Sequence, residues 1–194
     1  MDKVRIFLTG VGGQGTLTAT TLLARIALDC GIPVTSGEIH GMAQRGGVVE
    51  STVLLGGCLS PRIGKGEADV LLGFEPMETL RALSYLRPGG TVLSCSEPLP
   101  PVSVSLGRDT YPEYGMIEQA VRDCSPRAHF IPCLSLARQA GTVLCANTVL
   151  LGALCASGLL PFGSDELDQA IDRYLKPTIR DMNRQAATLG AGAL

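Results

Sequence analysis

An apolar run, Ile6-Phe7-Leu8, leads into the glycine-rich stretch Thr9-Gly10-Val11-Gly12-Gly13-Gln14-Gly15, and beyond it the apolar positions recur at helical spacing. The pattern predicts a strand over Lys3–Thr9 and a helix over Thr16–Cys30. Leu17, Thr20, Leu23, Ala24, Ala27 and Leu28 leave that helix little room for a polar face, which places it between the sheet and another layer. Gly31 closes it, and Ile32-Pro33-Val34-Thr35-Ser36 reads as the second strand of a parallel βαβ unit. The following segment, Ser36 to Gly47, is polar, punctuated by glycine and weakly periodic, so it reads as a functional loop.

Val48–Leu55 is a strand by its β-branched content, and Ala68–Phe74 is a buried one. Glu75-Pro76 opens a helix through Leu86, Arg87-Pro88-Gly89-Gly90 stops it, and Thr91–Cys95 is again a strand. Pro98–Thr110 reads as a surface crossing. A helix after Tyr111-Pro112 runs to Cys124, and a short strand covers Ala128–Pro132. Ser135–Gly158 is helical and very apolar, broken near Gly141-Thr142. Its second part is expected to be a core or subunit-contact helix, being too short to span a membrane. Gly163-Ser164-Asp165-Glu166 begins a helix through Tyr174, and Pro177 begins the last, to about Leu189. Strands alternating with helices predict an α/β fold, a Rossmann-like doubly wound and mostly parallel sheet with helices on both faces. A length of 194 residues suits one domain over 1–194, with the helices from about 135 packing on it or on a partner.

Charged residues are few, Trp is absent, and the formal charge of −2 is too small to name a partner by attraction. With no basic stripe, nucleic acid and anionic membrane are not expected partners. The amino terminus lacks a secretory pattern, so a cytoplasmic protein is expected. Seven scattered cysteines, none close-spaced, are expected to be reduced packing thiols, and no metal or iron–sulfur site is expected on this chain.

The candidate chemistry gathers at the glycine turn. Gly10, Gly12, Gly13 and Gly15 let backbone approach a ligand, and the helix after them points free N–H groups at the same spot, a seat for phosphate or carboxylate. Gly10, Gly12 and Gly15 also carry dinucleotide-binding spacing, with Glu38 near the place of a ribose-binding acid, so a free NAD(P)-dependent oxidoreductase stays open. His40 is a candidate general acid/base or orienting donor, against a partly solvated histidine; Arg45 is a candidate anion clamp, against a solvated charge. Gln44 and Ser36 could position the same ligand, while His129 reads as structural. A nucleophile elbow and a P-loop are absent from the sequence.

Three stretches taken together, Gly10-Val11-Gly12-Gly13-Gln14-Gly15, Ser36 to Gly47 (with His40-Gly41-Met42-Ala43-Gln44-Arg45-Gly46-Gly47 the specific part) and Ala68-Asp69-Val70-Leu71-Leu72-Gly73-Phe74-Glu75-Pro76, resemble the gamma domain of the 2-oxoacid:ferredoxin oxidoreductases. The resemblance spans most of the chain. It implies the small subunit of an enzyme that oxidatively decarboxylates an arylpyruvate such as indolepyruvate to an acyl-CoA and passes electrons to ferredoxin. Thiamine diphosphate, Mg2+ and four-iron four-sulfur clusters would sit on a large partner subunit. This chain would help bind coenzyme A through the glycine turn, Gln14, Ser36, Glu38, Gln44, Arg45, Gly46 and Gly47. A scaffold whose glycine turn packs only against a partner is the remaining alternative.

Overall fold

The computed structural model describes residues 3–39, 47–100, 104, 106, 107 and 110–194. In chain order the elements are β1 (Val4–Val11), α1 (Thr16–Asp29), β2 (Val34–Ile39), β3 (Val48–Leu55), β4 (Ala68–Gly73) and α2 (Pro76–Ala82). There follow β5 (Leu86–Cys95), α3 (Tyr114–Cys124), β6 (Ala128–Ile131), α4 (Cys133–Gln139), α5 (Ala146–Ala156), α6 (Ser164–Tyr174) and α7 (Pro177–Ala191). The strands form one sheet in the order β2-β3-β1-β4-β5-β6. β1, β4, β5 and β6 pair in parallel, and β3 runs antiparallel to both its neighbours. The α/β, mostly parallel reading holds.

Strand alternation divides the core. Ile6, Leu8, Val53, Val70, Leu72 and Leu93 face α1 and the C-terminal helices. Phe7, Leu54, Leu71 and Val92 face α2 and α3, contacting Met77, Ile117 and Val121. Tyr85 stacks on Phe7 with ring centroids 4.1 Å apart.

Four expectations need correction. β2 does not lie beside β1, and the segment 40–47 that follows it is shorter than the dozen residues a parallel crossover needs. β3 must therefore return antiparallel, and it inserts between the two. β2 also starts and ends later than expected, so Ser36, Gly37 and Glu38 belong to an edge strand rather than to a loop. β1 continues through Gly10 and Val11, its backbone paired with Val49 and Val48. Finally, α2 ends at Ala82, and Arg87-Pro88-Gly89-Gly90 lies inside β5 as a bulge, with Ala68 opposite Leu86 and Val70 opposite Thr91.

The apolar C-terminal run is a core helix of this chain. Every residue of α5 from Asn147 to Cys155 is buried, and α7 covers it at backbone contact. A Cβ at Gly190 would stand 1.8 Å from the Val149 carbonyl oxygen, and one at Gly152 would stand 2.1 Å from that of Ala187. Leu17 and Leu28 of α1 and Val143 and Leu144 ahead of α5 instead face outward. No helix among the described residues is long and apolar enough to cross a membrane.

Candidate functional site

Parallel strands bring their carboxyl ends to one edge of the sheet, where the crevice outside them is the usual binding place of open α/β folds. Here that crevice is a cleft of about 610 Å³. Gly13, Gln14, Gly15 and Thr18 line one side, Cys95 ends β5 while Phe74 and Cys133 follow the ends of β4 and β6, and α5 and α7 supply the floor.

The glycine corner is shaped by close approach as much as by torsion. A Cβ at Gly10 would lie 2.9 Å from Gln14 Oε1 and from Phe74 Cβ, so the first glycine is where β1 and the Gln14 side chain pack. The Gln14 amide is occupied within the fold: Oε1 accepts from the Val11 N–H at 2.7 Å, and Nε2 donates to the Phe74 carbonyl at 3.0 Å. It thereby ties the end of β1 to the end of β4. Gly15 takes φ +81°, and the place of its missing Cβ is 2.6 Å from Asn147 Nδ2 of α5, which donates to the Gly15 carbonyl at 3.3 Å. Gly13, at φ +104°, has open space where a Cβ would be.

The N-cap of α1 is Gly15, so the helix starts with no side-chain cap, and its first turn holds no acid. Its free N–H groups and the positive end of its dipole therefore lie beside the cleft. Among the described residues lining that cleft no carboxylate occurs, and the single charged side chain is the exposed Arg138 of α4. The Thr16 hydroxyl, at the first helical position, is buried without a hydrogen-bond partner. Donors, one cation and no competing anion fit a phosphate-bearing ligand.

The floor carries a polar chain. Asn147 Oδ1 accepts from the Thr148 N–H at 2.9 Å, the Thr148 hydroxyl donates to Asn183 Oδ1 at 2.6 Å, and Asn183 Nδ2 donates to the Ile179 carbonyl at 2.7 Å. This links Gly15 through α5 to α7, and sequence reasoning missed it together with Arg138. Asn147 and Gly152, interrupting the apolar run, were the available signal, since a polar residue inside a buried helix needs a partner.

The predicted residues fall in three groups. Gly13, Gln14 and Gly15 line the cleft; Gly10 and Gly12 stand behind it, the Gly12 N–H bonded to the Gly47 carbonyl at 2.8 Å. Ser36 and Glu38 lie on the edge strand, opposite Val53 and Ser51 of β3. Two inter-strand spacings, roughly 10 Å, separate β2 from β1. Glu38 is thus not brought to the glycine corner as a ribose-binding acid would be, which removes the observation that favoured the free NAD(P) reading. His40, Gln44, Arg45 and Gly46 lie outside the described residues.

The motif ending Phe74-Glu75-Pro76 builds the neighbouring corner. Glu75 is fully buried; its Oε2 accepts from the Glu78 N–H at 3.0 Å, and its Oε1 accepts from the Tyr111 hydroxyl at 2.5 Å and the Leu99 N–H at 3.3 Å. Burial pushes the Glu75 carboxyl up, partly opposed by these donors, and pushes the Tyr111 phenol well above its usual range.

Residues 5–193 match the family described as pyruvate ferredoxin/flavodoxin oxidoreductase. An indolepyruvate oxidoreductase subunit IorB from Thermococcus kodakarensis is 39% identical over all of this chain and 96% of its own length. The keto/oxoacid ferredoxin oxidoreductase gamma subunit from Geobacter sulfurreducens shares the fold with a TM-score of 0.71 at 22% identity, covering 98% of this chain and 97% of that one. The 2-oxoglutarate:ferredoxin oxidoreductase of Magnetococcus marinus, solved with 2-oxoglutarate, coenzyme A and succinyl-CoA, contains the same fold within a longer chain. Its TM-score is 0.72 at 20% identity, covering 100% of this chain and 32% of that one.

Proposed function

The chain belongs to the pyruvate ferredoxin/flavodoxin oxidoreductase family, and from that premise we propose that it serves as the small subunit of a 2-oxoacid:ferredoxin oxidoreductase acting on indolepyruvate or a related arylpyruvate. The reaction converts the oxoacid, with loss of carbon dioxide, to an acyl-CoA and hands two electrons to ferredoxin. Thiamine diphosphate, Mg2+ and four-iron four-sulfur clusters belong to a larger partner subunit, where the thiamine ring supplies the carbanion chemistry of decarboxylation. Alone, this chain is inactive.

Its own residues bind and orient. The observation that carries this reading is the corner at Gly13–Gly15: an uncapped helix start opening on a cleft that holds one cation and no carboxylate among its described lining residues. There the phosphates of coenzyme A meet the α1 N–H groups, the Thr18 hydroxyl and the Arg138 guanidinium. Arg45 joins this set on its chemistry alone. The apolar walls suit the pantetheine arm. Asn147, Thr148 and Asn183 hold the α1 start against α5 and α7.

Affinity purification of the tagged chain from its own anaerobic extract tests the subunit reading. A large iron–sulfur partner with indolepyruvate- and coenzyme A-dependent reduction of an electron acceptor is expected, and a colourless chain recovered alone overturns it. In the same complex Arg138→Ala should raise KM for coenzyme A with little change in kcat. An unchanged KM removes Arg138 from the site.

A further inference from the structure

The cleft does not end at the glycine corner. A smaller hollow of about 280 Å³ continues from it along α1, and Thr18, Leu22 and Leu175 line both. Its remaining walls are Leu17, Thr21, Arg25 and Tyr174. Thr18, Leu22 and Arg25 stand four and three residues apart, so they share one face of α1 that runs outward from the helix start. The Arg25 guanidinium lies 4.7 Å from the centre of the Tyr174 ring, and the Tyr174 hydroxyl is anchored in turn on the Asp29 carboxylate, 2.8 Å from each oxygen. That carboxylate is already engaged, because Arg173 pairs with it at 2.9 Å. Among the described residues Arg25 has the ring as its contact and neither an ion pair nor a hydrogen bond, and no carboxylate lines the hollow.

We propose that this hollow is a second anion subsite, in which Arg25 binds the 3′-phosphate of coenzyme A while the diphosphate occupies the glycine corner. The assignment rests on the coenzyme A reading of the cleft and divides the phosphates of that ligand between two places. A guanidinium held against an aromatic face keeps its N–H donors for an anion and loses little freedom on binding one. Tyr174, fixed by Asp29, is thus a positioning residue for Arg25. The spacing agrees with the ligand. Thr18 and Arg25 are about 10 Å apart along the helix axis, and the ribose between the two phosphate groups fits that interval once the length of the arginine side chain is taken off. Leu17, which is 37% exposed, and Leu175 offer the apolar surface against which a purine ring lies. The hollow therefore selects a nucleotide that carries a second phosphate on its ribose.

The anaerobically purified complex of this chain with its large partner subunit is assayed for KM with coenzyme A and with 3′-dephospho-coenzyme A. In the parent enzyme the dephospho compound should show the higher KM, by about tenfold, which is about 1.4 kcal/mol and suits one charge-assisted contact at an exposed site. Arg25→Ala should raise KM for coenzyme A by about that factor and leave KM for the dephospho compound where it was. Arg25→Lys should keep part of the discrimination. Arg25 is exposed on α1, so its removal should leave the fold intact, and a merely structural effect would move both KM values together. Equal KM values for the two compounds in the parent enzyme overturn the subsite, as does an Arg25→Ala change that raises both values or neither. Arg138→Ala separates the subsite from the reading beneath it, because both compounds carry the diphosphate and both KM values should rise. Selectivity lost in Arg25→Ala with both values unmoved in Arg138→Ala keeps the subsite and removes Arg138 alone. Turnover that needs neither compound overturns the coenzyme A reading and the subsite with it.

Discussion

Two strand-to-helix corners stand side by side at the carboxyl end of the sheet, β1 into α1 and β4 into α2, and they solve the same problem in opposite ways. Each helix start presents unpaired N–H groups that attract negative charge. At α2 the chain supplies the anion itself: Glu75 caps the helix and gathers the Tyr111 hydroxyl and the Leu99 N–H on its other oxygen. At α1 it supplies none: the cap position is Gly15, the first turn has no acid, and the cleft lies beside it. Gln14 bonds across from one corner to the other, so the open one is held by the closed one. A helix start left without its own anion, on a frame fixed by one that has it, is what a site for an external anion requires.

The largest effect should come from opening the closed corner. Glu75→Ala removes the acceptor of the buried Glu78 N–H and of the half-buried Tyr111 hydroxyl, at a cost on the order of 3 kcal/mol. Denaturant unfolding measures it, and a loss no larger than that of an ordinary surface change would show that Glu75 does not close the corner. Next comes Gly15→Ala, where a side chain must adopt φ +81° and meet Asn147 Nδ2 at 2.6 Å. About 2 kcal/mol is expected. The double variant with Asn147→Ala should recover the steric part but not the torsional part, and full additivity of the two changes would mean that the contact is not the cause. Gly13→Ala carries the torsional cost alone, about 1 kcal/mol, since nothing lies within 4 Å of the added carbon. It should nevertheless weaken coenzyme A binding more than Gly15→Ala/Asn147→Ala does, because the new methyl group stands where the cleft is open.

Much of this was legible in the sequence, for physical reasons that differ by residue. The glycine turn, the buried strands around Leu71 and Leu93 and the break at Gly141-Thr142 follow from torsional freedom and hydrophobic period, which are local properties. The position of β3 was not read, although the shortness of the segment between β2 and β3 already forbids a parallel crossover. Gln14 looked like a ligand-binding amide because spacing cannot tell an amide aimed at a ligand from one bonded to Phe74, sixty residues away. Asn147, polar within an apolar run, signalled only that it needs a partner, and Arg138 and Asn183 carried no signal: all three reach the cleft through the packing of α4, α5 and α7, and no short-range pattern encodes where three helices converge. Glu38 shows the reverse, an acid in the right place along the chain that an inserted strand carries away from the site.

The smallest effect separates the corners by pH. Beside Glu75, Glu78 is also fully buried; its Oε1 pairs with Arg81 at 2.7 Å, and its Oε2 has no hydrogen-bond partner. Burial raises the Glu78 carboxyl above its ordinary value of 4.5, with Arg81 opposing and the neighbouring Glu75 adding to the rise. In the unfolded chain both acids lose their protons near the ordinary value, while the folded chain still holds them. Over the interval between the two values the folded state binds more protons, so stability falls as pH rises through it and levels off above the raised folded value. The open corner has no acid to titrate and contributes no such slope. Glu78→Gln should therefore flatten the fall in urea midpoint from about pH 4.5 toward neutrality. Glu50, also raised by burial, contributes to both chains and largely cancels in the difference. An unchanged or steeper slope in the variant would mean that the closed corner is not where the fold carries its buried charge, and the contrast with the α1 corner would then rest on hydrogen bonding alone.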